Sequence, residues 1–251
     1  MPASFYLAKL LGYRKLQKIP MLFHRGCCWI MGLRIGVSGD LCNTTPTLFV
    51  SNHISYLDVF VLGGIVPGSF IAKSEVSKWP VFGSLAKIQN TLFFERHGGK
   101  VAGQVVVMQQ HFDGNGNLIL FPEGTSTPGT HVEPFKSSLF HGAEQTQQRV
   151  RIQPLTVAYT HYDGKVMDAE ERDCFAWYAT MPFVSHLVNV LGLKPVQVEL
   201  IFHAPVELTD FASRKDCAQF CQQAVTAGLK AANNGINLQE VGGNAEFELQ
   251  D

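Results

Sequence analysis

One pattern dominates residues 38–207: short apolar runs alternate with stretches of helical periodicity, and polar clusters punctuate them. A chain patterned this way is expected to form an α/β domain, its apolar runs buried as strands and its helices covering them. The strand segments are residues 47–51, 69–72, 91–94, 117–121, 152–159 and 196–202. The helical segments are residues 56–62, 81–87, 100–112, 136–147, 183–190 and 210–231, the last with Thr209 or Asp210 as N-cap. No internal repeat or low-complexity linker interrupts the pattern, and 251 residues suit one sizeable domain. The expected organisation is therefore one domain over residues 38–237, with a mixed, largely parallel sheet flanked by helices. Residues 1–37 are expected to be membrane-associating helices, and residues 238–251 a short acidic, disordered tail.

Two strand ends carry the chemistry. The apolar run at 47–50 leads into Ser51-Asn52-His53-Ile54-Ser55-Tyr56-Leu57-Asp58, a strand-to-helix turn that can hold an imidazole at the mouth of a cleft. Asp58, from the first helical turn, can bind one ring nitrogen of His53 and leave the other free as a base. The run at 117–121 leads into Pro122-Glu123-Gly124-Thr125-Ser126-Thr127-Pro128-Gly129, where a carboxylate precedes a glycine and three hydroxyls. An unpartnered carboxylate after an apolar strand is costly, so Glu123 is expected to be hydrogen-bonded, to cap the next turn or to face the cleft. The Gly124 and Thr125 amides could approach an oxygen closely, of either the acceptor or an oxyanion. Two polar clusters at the ends of two apolar strands suit a site along one edge of an α/β sheet. Lys73 and Lys136 are further candidates for anionic groups, and no Gly-x-Ser-x-Gly elbow supplies a protein nucleophile.

At these residues the chain resembles the glycerophospholipid acyltransferases. Asn52, His53 and Asp58 match the family's Asn-His-x-x-x-x-Asp motif, and residues 121–125 match its Phe-Pro-Glu-Gly-Thr motif without a gap. Residues 90–96, Asn-Thr-Leu-Phe-Phe-Glu-Arg, are similar to its arginine motif, and residues 152–158 to its proline-containing fourth block. The resemblance implies fatty acyl transfer from acyl-CoA or acyl carrier protein to the free hydroxyl of a lysolipid, with no bound cofactor and no metal. It implies His53 as general base, Asp58 as its orienting partner, and Glu123 with Gly124 and Thr125 at the acceptor. Arg96 is implied on the acceptor's phosphate, where a planar fork of donors suits the anion. Lysophosphatidic acid is the leading acceptor, giving phosphatidic acid. One departure points elsewhere: many members carry arginine after Phe-Pro-Glu-Gly-Thr, and this chain has Ser126. Its Ser-Thr-Pro-Gly continuation and residues 175–178 and 181–183 are more similar to the lyso-ornithine lipid branch, whose acceptor has no phosphomonoester. Two other classes compete: a hydrolase that activates water with the same pair, and a non-catalytic lipid-binding protein, which would not need His53, Asp58 and Glu123 all intact.

Charge bears on partners. The net charge of −1 and the lack of a basic run interleaved with aromatics give no case for nucleic acid. Residues 1–39 nevertheless hold Lys9, Arg14, Lys15, Lys18, Arg25 and Arg34 and no acid. With Phe5, Tyr6, Leu7, Trp29 and Ile30 as the apolar side, this suggests contact with an anionic membrane surface. The segment at 19–37, broken by Pro20, His24, Arg25 and Arg34, fits a helix lying in the interface or a re-entrant hairpin better than a span. The expected location is the cytoplasmic face of the inner membrane, peripheral or monotopic. The six cysteines form no metal spacing and are expected to be reduced thiols.

Overall fold

A computed structural model describes residues 18–44, 46–78, 83, 86–87, 89–94 and 101–236. The chain opens with α1 (Lys18–Ile30), β1 (Leu33–Ser38), β2 (Thr47–Ser51), α2 (Leu57–Ile65), β3 (Ser69–Lys73) and β4 (Leu92–Phe94). It continues with α3 (Val101–Asp113), β5 (Leu118–Leu120), the one-turn α4 (His141–Glu144), β6 (Arg151–Tyr162) and β7 (Lys165–Val166). The final elements are α5 (Ala169–Asp173), α6 (Phe183–Leu191), β8 (Val196–Phe202), β9 (Val206–Glu207) and α7 (Arg214–Asn233). The sheet runs β1-β8-β6-β2-β5-β3-β4, with β7 and β9 also paired to β6. From β6 to β4 all neighbours are parallel, while β8 and β1, parallel to each other, oppose β6. The fold is thus a mixed α/β domain with a mostly parallel sheet.

The alternation of side chains along a strand divides the core in two. Phe49 joins the layer holding Cys28, Leu57, Phe60 and Val190, from α1, α2 and α6. Leu48 and Val50 join the opposite layer, with Met108, Phe112, Cys217, Cys221 and Val225 from α3 and α7. Every residue of β2 is buried, as expected of a strand covered on both faces. Pro154 lies within β6 without breaking the ladder. Its β8 partner strand pairs from Leu155 onward and β9 only up to Ile152, so the missing N–H falls in the gap between them.

Several sequence expectations change. Residues 33–37 are not helical: α1 stops at Ile30, Gly32 turns the chain at φ +69°, and Leu33–Ser38 forms a strand beside β8. Leu33, Ile35 and Val37 alternate with Arg34, Gly36 and Ser38; Leu33 and Ile35 pack on the core while Val37 is exposed. The helix expected at 136–147 is a 3₁₀ turn, Ser137–Phe140, followed by α4 alone. The last helix starts later than expected, because Ser213, not Thr209 or Asp210, accepts the Asp216 N–H as N-cap. Most of the helix expected at 81–87 lies outside the described residues, as does the tail at 238–251.

Candidate active site

The carboxyl ends of β2 and β5 lie side by side, since the two strands pair in parallel from Leu48 to Val50. Asn52 leaves β2 and grips β6: its side-chain N–H₂ donates to the Val157 carbonyl at 2.9 Å, and its oxygen accepts the Val157 N–H at 2.8 Å. The chain then turns through His53 into α2, whose first turn carries Asp58. The Asp58 carboxylate is fully buried. Its Oδ2 accepts from His53 Nδ1 at 2.9 Å, Ile54 N at 2.7 Å and Ser55 N at 2.9 Å. Its Oδ1 accepts from the Tyr159 hydroxyl at 2.9 Å. A carboxylate at Nδ1 selects the tautomer with the proton there, which leaves the lone pair on Nε2. Among the described residues nothing bonds that nitrogen, and the side chain is 21% exposed. The pairing expected of His53 and Asp58 is present.

Glu123 reaches the same loop from β5. Its Oε1 accepts the His53 N–H at 2.6 Å and its Oε2 the Glu133 N–H at 2.7 Å, so the carboxyl bridges the two loops. The Thr127 N–H donates to the His53 carbonyl at 2.9 Å, and the Phe121 ring stacks on the His53 ring at 4.0 Å. The backbone and ring of His53 are thereby held from three sides. Burial pushes the Glu123 carboxyl up to about 8; the two N–H donors oppose that shift, and the charges of Asp58 and Glu133 add to it.

Gly124 corrects one expectation. Its N–H donates to the Phe121 carbonyl at 3.1 Å, closing the turn, and so is not aimed at a substrate oxygen. Its φ of +69° suits glycine, and a Cβ built there would stand 2.6 Å from Lys136 Nζ. The absence of a side chain thus lets the Lys136 ammonium settle against the motif, while the Lys136 N–H donates to the Pro122 carbonyl at 3.0 Å. Thr125 is exposed next in line, and among the described residues its N–H has no partner. Lys73 stands exposed at the carboxyl end of β3, on the same edge of the sheet. Arg96 lies outside the described residues. Ser126, where many family members have arginine, donates its hydroxyl to the Trp177 carbonyl at 2.6 Å; the Trp177 N–H donates to the Ile54 carbonyl at 2.9 Å. Trp177 lies in the 175–178 block that resembles the lyso-ornithine lipid branch, though its contact with Ser126 was not foreseen; Tyr159 carries no local motif and looks like an ordinary aromatic of a buried strand.

Among the described residues no group of His, Cys, Asp and Glu could hold a metal ion. No serine, threonine or cysteine side chain bonds the His53 ring, so within those residues no protein nucleophile is built for it. The arrangement offers a histidine base, oriented by a buried carboxylate and open toward solvent, beside a glycine turn with a lysine ammonium. An α/β domain with such a site fits proteins that deprotonate a hydroxyl for group transfer.

A sequence model of the family described as Acyltransferase matches residues 34–158. The lyso-ornithine lipid O-acyltransferase of Rhodobacter capsulatus is 37% identical over 211 residues, 82% of this chain and 73% of that one. The 1-acyl-sn-glycerol-3-phosphate acyltransferase of Neisseria gonorrhoeae is 28% identical over 170 residues, 67% of this chain and 62% of that one. The chain belongs to the acyltransferase family, among its glycerophospholipid acyltransferases. The fold is shared with the crystal structure of a 1-acyl-sn-glycerophosphate acyltransferase from Thermotoga maritima. That match has a TM-score of 0.62 and 22% identity, and covers 85% of this chain and 78% of the other.

Proposed function

We propose that this acyltransferase moves a fatty acyl chain from a thioester of coenzyme A or acyl carrier protein to the free hydroxyl of lyso-ornithine lipid. The hydroxyl oxygen attacks the thioester carbonyl carbon as its proton passes to His53 Nε2. The C–S bond then breaks, and the imidazolium returns the proton to the departing thiolate. Asp58 orients the ring and stabilises the imidazolium, and the substrate's hydroxyl takes the place of a protein serine. Glu123 acts here by bracing the His53 backbone, and Lys136 by meeting an anionic part of a substrate. The hydrogen bond from His53 Nδ1 to the buried Asp58 carries the mechanism.

Similarity and a local contact favour the ornithine acceptor. The lyso-ornithine lipid relative is closer and matches more of the chain. The Ser126 hydroxyl, engaged with the Trp177 carbonyl, stands where many family members carry a second cation for a phosphomonoester. Losing such a charge-assisted pair costs about 1.5–3 kcal/mol. Lysophosphatidic acid is the second reading, favoured by the Lys136 ammonium against Gly124 and by the Neisseria relative. Incubation with both lysolipids in equal amounts, once with acyl-CoA and once with acyl carrier protein, separates them by mass spectrometry of the products. A dominant acylated ornithine lipid is expected; phosphatidic acid alone would reverse the acceptors.

An amphiphilic acceptor calls for contact with a membrane surface, which we place at α1 and α6. Trp29 is 83% exposed and Ile30 66% exposed at the end of α1, and Val184 is 70% exposed on the uncharged α6. Both helices cover the same face of the sheet. The contact we propose is peripheral, at the cytoplasmic face; no described helix is long and apolar enough to cross a membrane.

A further inference from the structure

We infer that Tyr159 is a positioning residue for the reaction: its hydroxyl, donated to Asp58 Oδ1, fixes the carboxylate plane that orients the His53 ring. The inference rests on the reading of His53 as base. Asp58 Oδ2 is crowded by the imidazole and two amides, whereas within the described residues Oδ1 has Tyr159 alone. Both side chains are fully buried, so no solvent molecule stands ready to replace the phenol. The strand and ring that carry the phenol are themselves held by neighbours. Asn52 clamps β6 at Val157 through two hydrogen bonds, Arg172 Nε donates to the Tyr159 carbonyl at 3.2 Å, and the Phe175 ring stacks on the Tyr159 ring at 6.0 Å. Burial first, then the Asp58 charge and hydrogen bond, hold the phenol proton well above its ordinary range, so Tyr159 stays a donor throughout the working pH range.

The phenol also shares the Asp58 charge. Without it, negative charge gathers on Oδ2, the atom facing Nδ1, and the ring holds its proton more tightly. The other titratable groups around the pair are Glu123, against the His53 backbone, and Tyr56 and Cys28, near the Tyr159 phenol. None of these donates to Oδ1 among the described residues.

The test is steady-state kinetics of Tyr159→Phe over a range of pH, with His53→Ala as control. We expect kcat to fall about tenfold, KM for donor and acceptor to stay unchanged, and the acid limb of kcat/KM to move to higher pH. A Tyr159→Phe enzyme with wild-type kcat and pH profile would overturn the inference, and so would one whose loss lies wholly in KM. If Phe disrupts folding, 3-fluorotyrosine at 159 keeps the packing and strengthens the donor. The acid limb should then move the opposite way, and an unmoved limb would equally overturn the inference. Full turnover in His53→Ala would instead remove the base on which both readings depend.

Discussion

At the scale of single residues, Asp58 and Glu123 are two buried carboxyls with opposite designs. Asp58 receives four donors and turns them toward one imidazole. An asparagine there can keep its oxygen on the three crowded donors and turn its amide toward the Tyr159 oxygen. Asp58→Asn should therefore fold with little loss of stability while kcat falls by about 10²–10⁴, because the imidazolium loses its counter-charge. Thermal melts beside single-turnover rates check this, and an active Asp58→Asn would argue against the pair. Glu123 has two donors that do not offset its desolvation by burial, hence its rise to about 8 from an ordinary 4.5. A carboxyl raised on folding binds more protons folded than unfolded between those values. Its contribution to stability is complete below about 4.5 and is lost as the pH climbs through about 8. Glutamine at 123 sets an amide against one backbone N–H and should cost about 1–3 kcal/mol at mildly acid pH. The gap between wild type and Glu123→Gln should shrink as the pH rises, measured by denaturant unfolding; a gap independent of pH would contradict the raised value.

At the scale of elements, the site depends on two turns held in register by β2, β5 and β6. Gly124 is a constrained point: its positive φ disfavours a side chain, and a Cβ there would push the Lys136 ammonium aside. Gly124→Ala should cost about 1–2 kcal/mol of stability from backbone strain alone and should raise KM for an anionic substrate as Lys136 is displaced. Unfolding midpoints and KM measured together test both halves. The same scale shows what was legible in the sequence. Residues 47–51 and 196–202 read correctly to the residue, because their apolar runs end in sharp polar or turn signals. The alternation at Leu33, Ile35 and Val37 went unread beneath the helix-like, basic character of the residues before it. Asp168 and Glu171 form a capping box that starts α5, a signal present in the sequence but too short to stand out. The contact of His53 with Asp58 and the hydrogen bonding of Glu123 were legible from two polar clusters at strand ends and the family motifs they resemble, not from spacing alone. Tyr159 was not, because a tyrosine in a buried strand reads as core until the partner of its hydroxyl is known.

At the scale of the molecule, the proposed function asks the sheet edge at His53 and the apolar helices to serve one task, drawing a lipid from a surface. The link is structural: Tyr56 packs edge-on against Phe183 of α6 and against Trp177, whose amide bonds the Ile54 carbonyl beside His53. Replacing Val184, Val188 and Leu191 by serine should weaken flotation with anionic vesicles and slow transfer to vesicle-embedded acceptor. Transfer to a short-chain, monomeric acceptor should stay near wild type. Equal flotation of variant and wild type would remove α6 from the membrane contact.

The central claim, acyl transfer to a lysolipid hydroxyl with His53 as base, is tested most directly by radiolabelled acyl thioester turnover in wild type and His53→Ala. Acyl-CoA and acyl carrier protein are each supplied as donor, with lyso-ornithine lipid as acceptor. Wild type should give labelled diacyl product and little free fatty acid without acceptor, and a folded His53→Ala should give no product. Product from His53→Ala, or free fatty acid released at the same rate with and without acceptor, would contradict that claim.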